Sequence, residues 1–498
     1  MKGKVVLFLT LFLLSEGRAY AQPCQTVIGY FGNWNWYRRD KLVNPTTVQY
    51  AKYTILNYSF YLPDAEGGIN SSDGWADENL LLGEPDWSTT PVGRKPNTSM
   101  IDLAHLNACK IVPSIGGWSG SDHFSDIAAQ PAKSARFAHA CARLCDSLHF
   151  DGIDIDWEYP GVATRAGTPA DWGNYISFLQ QIRDSLSALG NRTGKHYLLT
   201  AAVGASAETM EKIDWAKLVP ILDYINLMTY DFFGPWDPIA NHNAPLYAPA
   251  QGDSLFNAAS AVKALTEHYQ VPSQKLNMGV AFYGRALKTT QTPALFAPLT
   301  GTADSETFPD DLGIPTYYDL LPKLSLFDQK WDEVAQVPYL VGLNGLNTFV
   351  SYDDERSIRT KGQFIKDHHL AGAIIWELTG DYIQGSTAGT IQATPLLDAL
   401  NGALCSSLSL EDVPAAPILS WDMYPNPAFH QVSFRNKGEE TYVLEIRNGL
   451  GELVQTLTLP AQDEQRISVE NWAEGLYVIQ GKDVRSQQTR KLLVSRGK

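Results

Sequence analysis

The sequence predicts an α/β chain: a (β/α)8 TIM barrel with an α+β insertion between strands 7 and 8, followed by a C-terminal β-sandwich. Three observations lead there. Strand-like and helix-like stretches alternate from Thr26 to about Leu378. The last gap between strand-like stretches is too long for one crossover. Beyond Cys405 the pattern changes to short alternating runs divided by turn signals. Strict alternation of strand and helix implies a parallel sheet, and eight repeats imply a closed one.

The strands are expected at Val27–Phe31, Tyr53–Phe60, Lys110–Ile115, Gly152–Trp157, Tyr197–Val203, Tyr224–Tyr230, Leu276–Phe282 and Ala371–Trp376. Most are continuous apolar runs, as parallel strands covered on both faces must be. Helices are expected over Asp102–Cys109, Pro131–His149 and Trp172–Leu189; in the last, Tyr175, Phe178, Leu179 and Ile182 share one face. A doubly wound open sheet is the alternative, but no Gly-rich phosphate loop follows an early strand. Residues 288–348 hold Tyr317, Tyr318, Trp331, Pro338 and Tyr339 among short polar breaks. A structureless loop of that length runs against the short connections of compact domains, so the segment reads as an inserted α+β module. Residues 406–420, with Pro414 and Pro417, read as a linker. Residues 421–498 read as a β-sandwich with strands at Gln431–Phe434, Tyr442–Arg447, Leu453–Leu459, Arg466–Val469, Leu476–Gln480 and Leu492–Val494.

The N-terminus reads as a signal peptide over residues 1–21: Lys2 and Lys4, an apolar run Val5–Leu14, and an A-x-A site at Ala19-Tyr20-Ala21. The barrel domain then covers 22–405. The apolar run is too short to span a bilayer, and no later stretch is long enough, so a secreted protein without a membrane span is expected. Hydrophobic residues make up 44% of the 498, ample for a core, which excludes global disorder. The net charge of −15 disfavours nucleic acid and anionic lipid as partners and fits a neutral substrate. Cys141 and Cys145 stand i,i+4 on a helix, but no His or further Cys completes a ligand set, so no metal and no cofactor are expected. Cys24 and Cys405 should lie close in space, because a closed barrel returns its last helix beside its first strand. They either form a disulfide or stay unpaired.

The chemistry sits in Asp151-Gly152-Ile153-Asp154-Ile155-Asp156-Trp157-Glu158. Residues two apart share a strand face, so Asp154, Asp156 and Glu158 align on one side and Ile155 and Trp157 on the other. Three carboxyls inside a barrel cannot all ionise freely; repulsion and burial raise at least one pKa and keep it protonated near neutrality. Glu158 comes last, at the C-terminal end of the strand, where barrel active sites lie. A protonated carboxyl there suits protonation of a glycosidic oxygen. Asp156, on the same strand, would approach the sugar from the same side, which is awkward for in-line attack. A route in which the sugar's own 2-acetamido oxygen attacks C1 avoids this.

The D-G-I-D-I-D-W-E segment resembles the signature of family 18 glycoside hydrolases, the chitinases. Further motifs resemble the same family in chain order: Ser114-Ile115-Gly116-Gly117-Trp118, Met228-Thr229-Tyr230-Asp231 followed by Trp236 and Asn243-Ala244-Pro245-Leu246-Tyr247, Tyr283-Gly284-Arg285, and Gly372 to Glu377. The resemblance implies that Glu158 is the acid and then the base. Asp156 would hold the acetamido group, and Asp154 would share a proton with Asp156. Tyr230 would hydrogen-bond the acetamido oxygen. Met228, Asp231, Tyr283 and Arg285 would shape the subsites, and Trp376 would floor the −1 sugar. Trp34, Trp118 and Trp236 are stacking candidates against a core-packing alternative, while Trp36 reads as structural. Asp151, whose odd spacing points it to the other face, reads as structural with Gly116 and Gly117. The insertion, with Trp331-Asp332, Pro338-Tyr339 and Tyr352-Asp353-Asp354 after it, resembles that of deep-cleft chitinases.

The implied partner is chitin or an N-acetylglucosamine oligosaccharide. An endo-β-N-acetylglucosaminidase acting on glycoprotein glycans and a chitin-binding lectin on the same barrel are the alternatives; a lectin would typically lack the acid. The C-terminal module, with Tyr424-Pro425-Asn426-Pro427, a turn at Gly451, Gly475-Leu476-Tyr477 and Lys491-Leu492-Leu493-Val494, resembles the sorting domain of type IX secretion. That resemblance implies the type IX machinery of Bacteroidota as a partner; a carbohydrate-binding module is the rival reading.

Overall fold

The computed structural model describes residues 24–405, 421–424, 428–436, 441–448, 452–482 and 487–495. The expected signal peptide, the linker over 406–420, Pro425-Asn426-Pro427 and the Gly451 turn lie outside them. The chain divides into two compact units, Met1–Ser407 and Leu408–Lys498.

In the first unit eight parallel strands close on themselves: β1 (Thr26–Gly32), β2 (Ile55–Pro63), β3 (Lys110–Gly116), β4 (Gly152–Asp156), β5 (Leu198–Gly204), β6 (Tyr224–Met228), β7 (Leu276–Ala281) and β8 (Gly372–Trp376). Each strand pairs with its sequence neighbours, and β1 pairs both with β2 (Ile28 opposite Ile55) and with β8 (Thr26 opposite Gly372). All eight fall where the apolar runs predict them. Tyr53 and Tyr197 lie just before their strands, and Trp157, Thr229, Tyr230 and Phe282 just beyond theirs.

The crossover helices bury the stripes that their periodicity predicts. Helix α1 (Met100–Leu106) starts and ends earlier than the expected Asp102–Cys109. Ser99 caps it, its Oγ accepting from the Asp102 amide at 3.1 Å, and Ala108, at φ 55°, turns the chain out of helical geometry. Helix α2 (Pro131–Leu148) buries Phe137, Ala138, Cys141, Ala142 and Cys145. Helix α3 (Asp171–Thr193) buries Tyr175, Phe178, Leu179, Ile182, Leu186 and Leu189, and runs four residues past the expected Leu189 to a left-handed cap at Gly194. Among the described residues no helix is long and apolar enough to cross a membrane.

Between β7 and β8 lies a five-stranded antiparallel sheet: Arg285–Thr289, Leu299–Ala303, Phe327–Asp332, Val337–Gly342 and Thr348–Ser351, with a helical turn at Tyr317–Leu320. This α+β insertion is wider than residues 288–348. Arg285 already pairs with Ser351 in its ladder, so both edges shift outward by three residues.

The second unit contains a three-stranded sheet (Trp421–Tyr424, Gln431–Asn436, Glu464–Ser468) and a four-stranded sheet (Tyr442–Arg447, Leu453–Leu459, Gly475–Lys482, Gln487–Val494). Trp421, Phe434, Leu444, Ile446, Ile479 and Leu492 belong to a hydrophobic core of its own. Trp421–Tyr424 is a strand that the alternating pattern did not single out.

Cys24 and Cys405 are disulfide-bonded, with Cα atoms 5.1 Å apart, while Cys109, Cys141 and Cys145 are buried free thiols. The bridge closes nearly the whole barrel domain into one loop, where chain-entropy arguments give the larger stabilisation, on the order of 4–5 kcal/mol as an upper figure. Peptide mapping without reductant should therefore recover a Cys24–Cys405 cross-linked pair. Cys24→Ser should lower the denaturant midpoint of the barrel; an unchanged midpoint together with uncrosslinked peptides would contradict the pairing.

Candidate active site

β4 carries its acidic residues up the barrel interior. Asp154 is fully buried, and its carboxylate accepts four hydrogen bonds from four other strands. Tyr30 Oη on β1 and Ser114 Oγ on β3 donate to Oδ2 at 2.8 and 2.7 Å. Thr200 Oγ1 on β5 and Asn226 Nδ2 on β6 donate to Oδ1 at 2.5 and 3.1 Å. Asn226 in turn accepts from Asn277 on β7 at 3.1 Å. Burial raises the Asp154 pKa, and these hydrogen bonds to the ionised form oppose it.

Asp156 sits one inward position higher, only 3% exposed, and its Oδ1 has no hydrogen-bond partner. Burial, then the charges of Glu158 and Asp154, push its pKa well up. Trp157 turns to the opposite side and stacks on Phe124, ring centroids 5.4 Å apart, which leaves Glu158 on the side of its two aspartates. The Glu158 amide donates to Ser121 Oγ at 2.9 Å. Burial pushes the Glu158 carboxyl up to about 7, with Asp231 adding to the rise and a hydrogen bond from Tyr159 and the Arg165 charge opposing it.

Gly116 and Gly117 (φ 114° and 80°) let β3 approach β4 closely. A Cβ on Gly116 would stand 2.2 Å from the Asp156 carbonyl oxygen, and the Gly117 amide donates to that same oxygen at 2.8 Å.

Over this column opens a cleft of about 900 Å3. Asp156, Glu158, Tyr230, Trp34, Gly116, Trp118, Met228, Asp231, Trp236, Arg285 and Trp376 all line it. Asp154 lies beneath. Tyr283 lines an adjoining pocket of about 210 Å3 and donates to Asp231 Oδ1 at 2.6 Å. Arg285 Nε reaches the same oxygen at 2.7 Å. Trp118 and Trp236 are 59% and 60% exposed, which removes the core-packing alternative for both; Trp34 is half-buried, 6.2 Å from Trp376. Trp36 is buried beneath Lys41. Asp151 stands apart from the cleft, sharing a hydrogen bond with His105 at 2.9 Å and accepting from the Ile111 amide at 2.8 Å.

Sequence reasoning missed Tyr30, Thr200 and Asn226 around Asp154, Phe60 and Ile314 in the lining, and Tyr159 and Arg165 beside Glu158. The signal for the first three was a polar side chain within an apolar strand.

Both units of the chain are similar to known families. Residues 26–381 match the model of glycosyl hydrolases family 18, and residues 422–495 match the secretion system C-terminal sorting domain. The chain is 33% identical to chitinase A1 of Niallia circulans over 74% of its own length and 58% of that protein's. It is 32% identical to chitinase 1 of Aphanocladium album over 70% of its own length and 80% of that protein's. It thus spans about three-fifths of the length of the first curated relatives that it matches. A solved family 18 N-acetylglucosaminidase of Paenibacillus barengoltzii superposes with a TM-score of 0.61 at 29% identity, covering 76% of this chain and 99% of that one. On the match over 26–381 and the identity to these relatives, this chain belongs to glycosyl hydrolases family 18.

Proposed function

We propose that the chain is a secreted chitinase that hydrolyses β-1,4 N-acetylglucosamine linkages in chitin or chitooligosaccharides with retention, assisted by the substrate's own acetamido group. The observation that carries this reading is the gradient of carboxyl environments along β4: Asp154 fully hydrogen-bonded, Asp156 buried with a free oxygen, and Glu158 at the cleft with its pKa near 7. Glu158 donates its proton to the glycosidic oxygen as the bond to C1 breaks. The acetamido oxygen closes on C1 from the opposite face, and the resulting oxazolinium carries positive charge. Asp156, with Oδ1 unengaged, takes the acetamido N–H and stabilises that charge. Water then opens the ring at C1 while Glu158 accepts its proton. Two inversions leave the β configuration. The insertion supplies Arg285 and Ile314 to the cleft wall, which favours a polymer over a compact glycan. The chitinases among the relatives support the same substrate class. The sorting-domain match supports export through the type IX machinery.

Glu158→Gln keeps shape but has no acidic proton, so turnover of chitooligosaccharides should fall by roughly 10²–10⁴ while binding persists. In the wild type, kcat/KM should fall as pH rises through about 7, where the acid form is lost; near-normal turnover of the glutamine variant would exclude the assignment. NMR of early products should show the β-anomer, and a substrate bearing a free amine at the −1 sugar should resist cleavage there; initial α-anomer contradicts the route. A high-mannose glycopeptide cleaved in preference to chitin oligosaccharides would instead point to glycan processing. Removal of residues 421–498 should leave activity on soluble oligosaccharides intact and block export in the native host; a loss confined to solid chitin would favour a binding module.

A further inference from the structure

The loop after β4 is built more rigidly than a simple connection requires. Asp171, fully buried at the start of α3, accepts from the Gly161 amide (3.1 Å), the Thr168 amide (2.8 Å), Thr168 Oγ1 (2.8 Å) and Ser125 Oγ (2.7 Å). Both ends of the loop are thereby pinned to one carboxylate. Gly161, at φ 73°, allows the turn, since a Cβ there would stand 2.2 Å from the Trp172 indole nitrogen. The loop presents Arg165.

The Arg165 guanidinium lies 4.2 Å from the centre of the Trp118 ring, and its Nε donates to the Glu158 carbonyl at 3.4 Å. Its Nη2 is buried with no hydrogen-bond partner. Its place is set by the Trp118 ring and the Glu158 carbonyl. Trp118 remains 59% exposed, so one face is backed by the guanidinium while the indole stays open to the cleft. The same loop that carries Trp118 carries Ser121, which holds the Glu158 amide. The acid's main chain is therefore held at its N–H by Ser121 and at its carbonyl by Arg165. Across the cleft the arrangement repeats: Arg285 lies 4.7 Å from the Trp236 ring, which is 60% exposed, and holds Asp231.

We propose that Arg165 is a positioning residue that makes Trp118 a rigid stacking platform for the sugar next to Glu158 and couples occupancy of that platform to the placement of the acid. The proposal rests on the reading of the cleft as an oligosaccharide site. Tryptophan is the best cation–π partner, and a guanidinium stacked on one face fixes the ring without covering the other. The charged and titratable groups around Glu158 are Asp156 on its own strand, Tyr159 beside it, Tyr230 and Asp231 after β6, and Arg165. Arg165 is the cation among these groups, so its removal takes away a charge that favours ionised Glu158.

The test compares Arg165→Met and Arg165→Lys with the wild type and with Trp118→Ala. In Arg165→Met, KM for N-acetylchitopentaose should rise about two- to fivefold, the effect of a cation–π contact on an exposed ring, with a smaller change in kcat. The alkaline limb of kcat/KM should move to higher pH, because a cation that favours ionised Glu158 is gone. Arg165→Lys should retain the position of the alkaline limb but share part of the KM defect. Adding Arg165→Met to Trp118→Ala should cost little beyond Trp118→Ala alone. Pentaose binding, followed by tryptophan fluorescence in Glu158→Gln and Glu158→Gln/Arg165→Met, reads the same coupling without turnover. It therefore separates failure of this proposal from failure of the hydrolase reading. Unchanged binding and an unmoved alkaline limb, or additive losses with Trp118→Ala, overturn the role. Should Arg165→Met not fold, the Arg165→Lys binding and pH data decide alone.

Discussion

The burial of Asp154 organises the barrel. A carboxyl buried away from solvent is stable only when its oxygens are occupied, and here the donors come from other strands. Here β1, β3, β5 and β6 each send one, and β7 supports the last through Asn277. Five strands besides β4 thus converge on one side chain, four directly and β7 through Asn226. The consequence appears one step up. With these donors on Asp154, Asp156 keeps an oxygen without a partner, and Tyr159 and Arg165 only partly offset the burial of Glu158. The gradient from satisfied to unsatisfied carboxyl is the polarity of the site, and it follows from where the donors stand.

Local pattern reveals a feature when the feature is local. All eight barrel strands, the two longer helices and the three aligned acids were legible because period 2, period 3.6 and apolar runs are properties of adjacent residues. The Asp154 cradle was not. Tyr30, Thr200 and Asn226 lie far apart in sequence, and their convergence depends on strand register and closure, which no window contains. Helix α1 starts two residues earlier than expected because Ser99 caps it. The insertion's edge lies outside the expected bound because Arg285, part of the Tyr283-Gly284-Arg285 motif, has its backbone in the inserted sheet. Arg165 carried no signal: an arginine in a polar loop resembles a solvated one until the fold places Trp118 beneath it.

The insertion is tied into the site. Asp231 accepts from Tyr283 and Arg285, the latter already on the inserted sheet, and its amide donates to Asn243 Oδ1 at 3.1 Å. The Asn243 amide donates to Ser351 Oγ at 2.7 Å, and its neighbour His242, fully buried, meets Asp332 at 2.9 Å. Close by, Lys361 and Asp353 form a buried pair at 2.6 Å, each 1% exposed. Breaking such a pair from one side costs roughly 3–5 kcal/mol, because the remaining charge stays buried. The cleft wall and the residue facing Glu158 are therefore one mechanical unit with the barrel rather than a domain laid over it.

This rigidity bears on the chemistry. A retaining glycosidase with two enzymic carboxylates needs them on opposite faces of the sugar, roughly 5 Å apart across the bond. Asp156 and Glu158 issue from one strand and approach from one side, so neither can stand behind C1 while the other protonates the leaving oxygen. In the proposed reaction β4 supplies a general acid and a charge stabiliser from one side, while Asp231, the further carboxylate in the cleft, is held by Tyr283 and Arg285. The nucleophile comes from the substrate, and the demand on the protein changes accordingly. It must hold the acetamido group over Trp376, keep water away until the glycosidic bond is broken, and present Glu158 at one fixed position for both proton transfers. Cross-ties to the Glu158 N–H and to its carbonyl, from Ser121 and Arg165, meet the last requirement. A single acid that acts twice gains more from fixed placement than two acids that act once each, because any displacement would slow both steps.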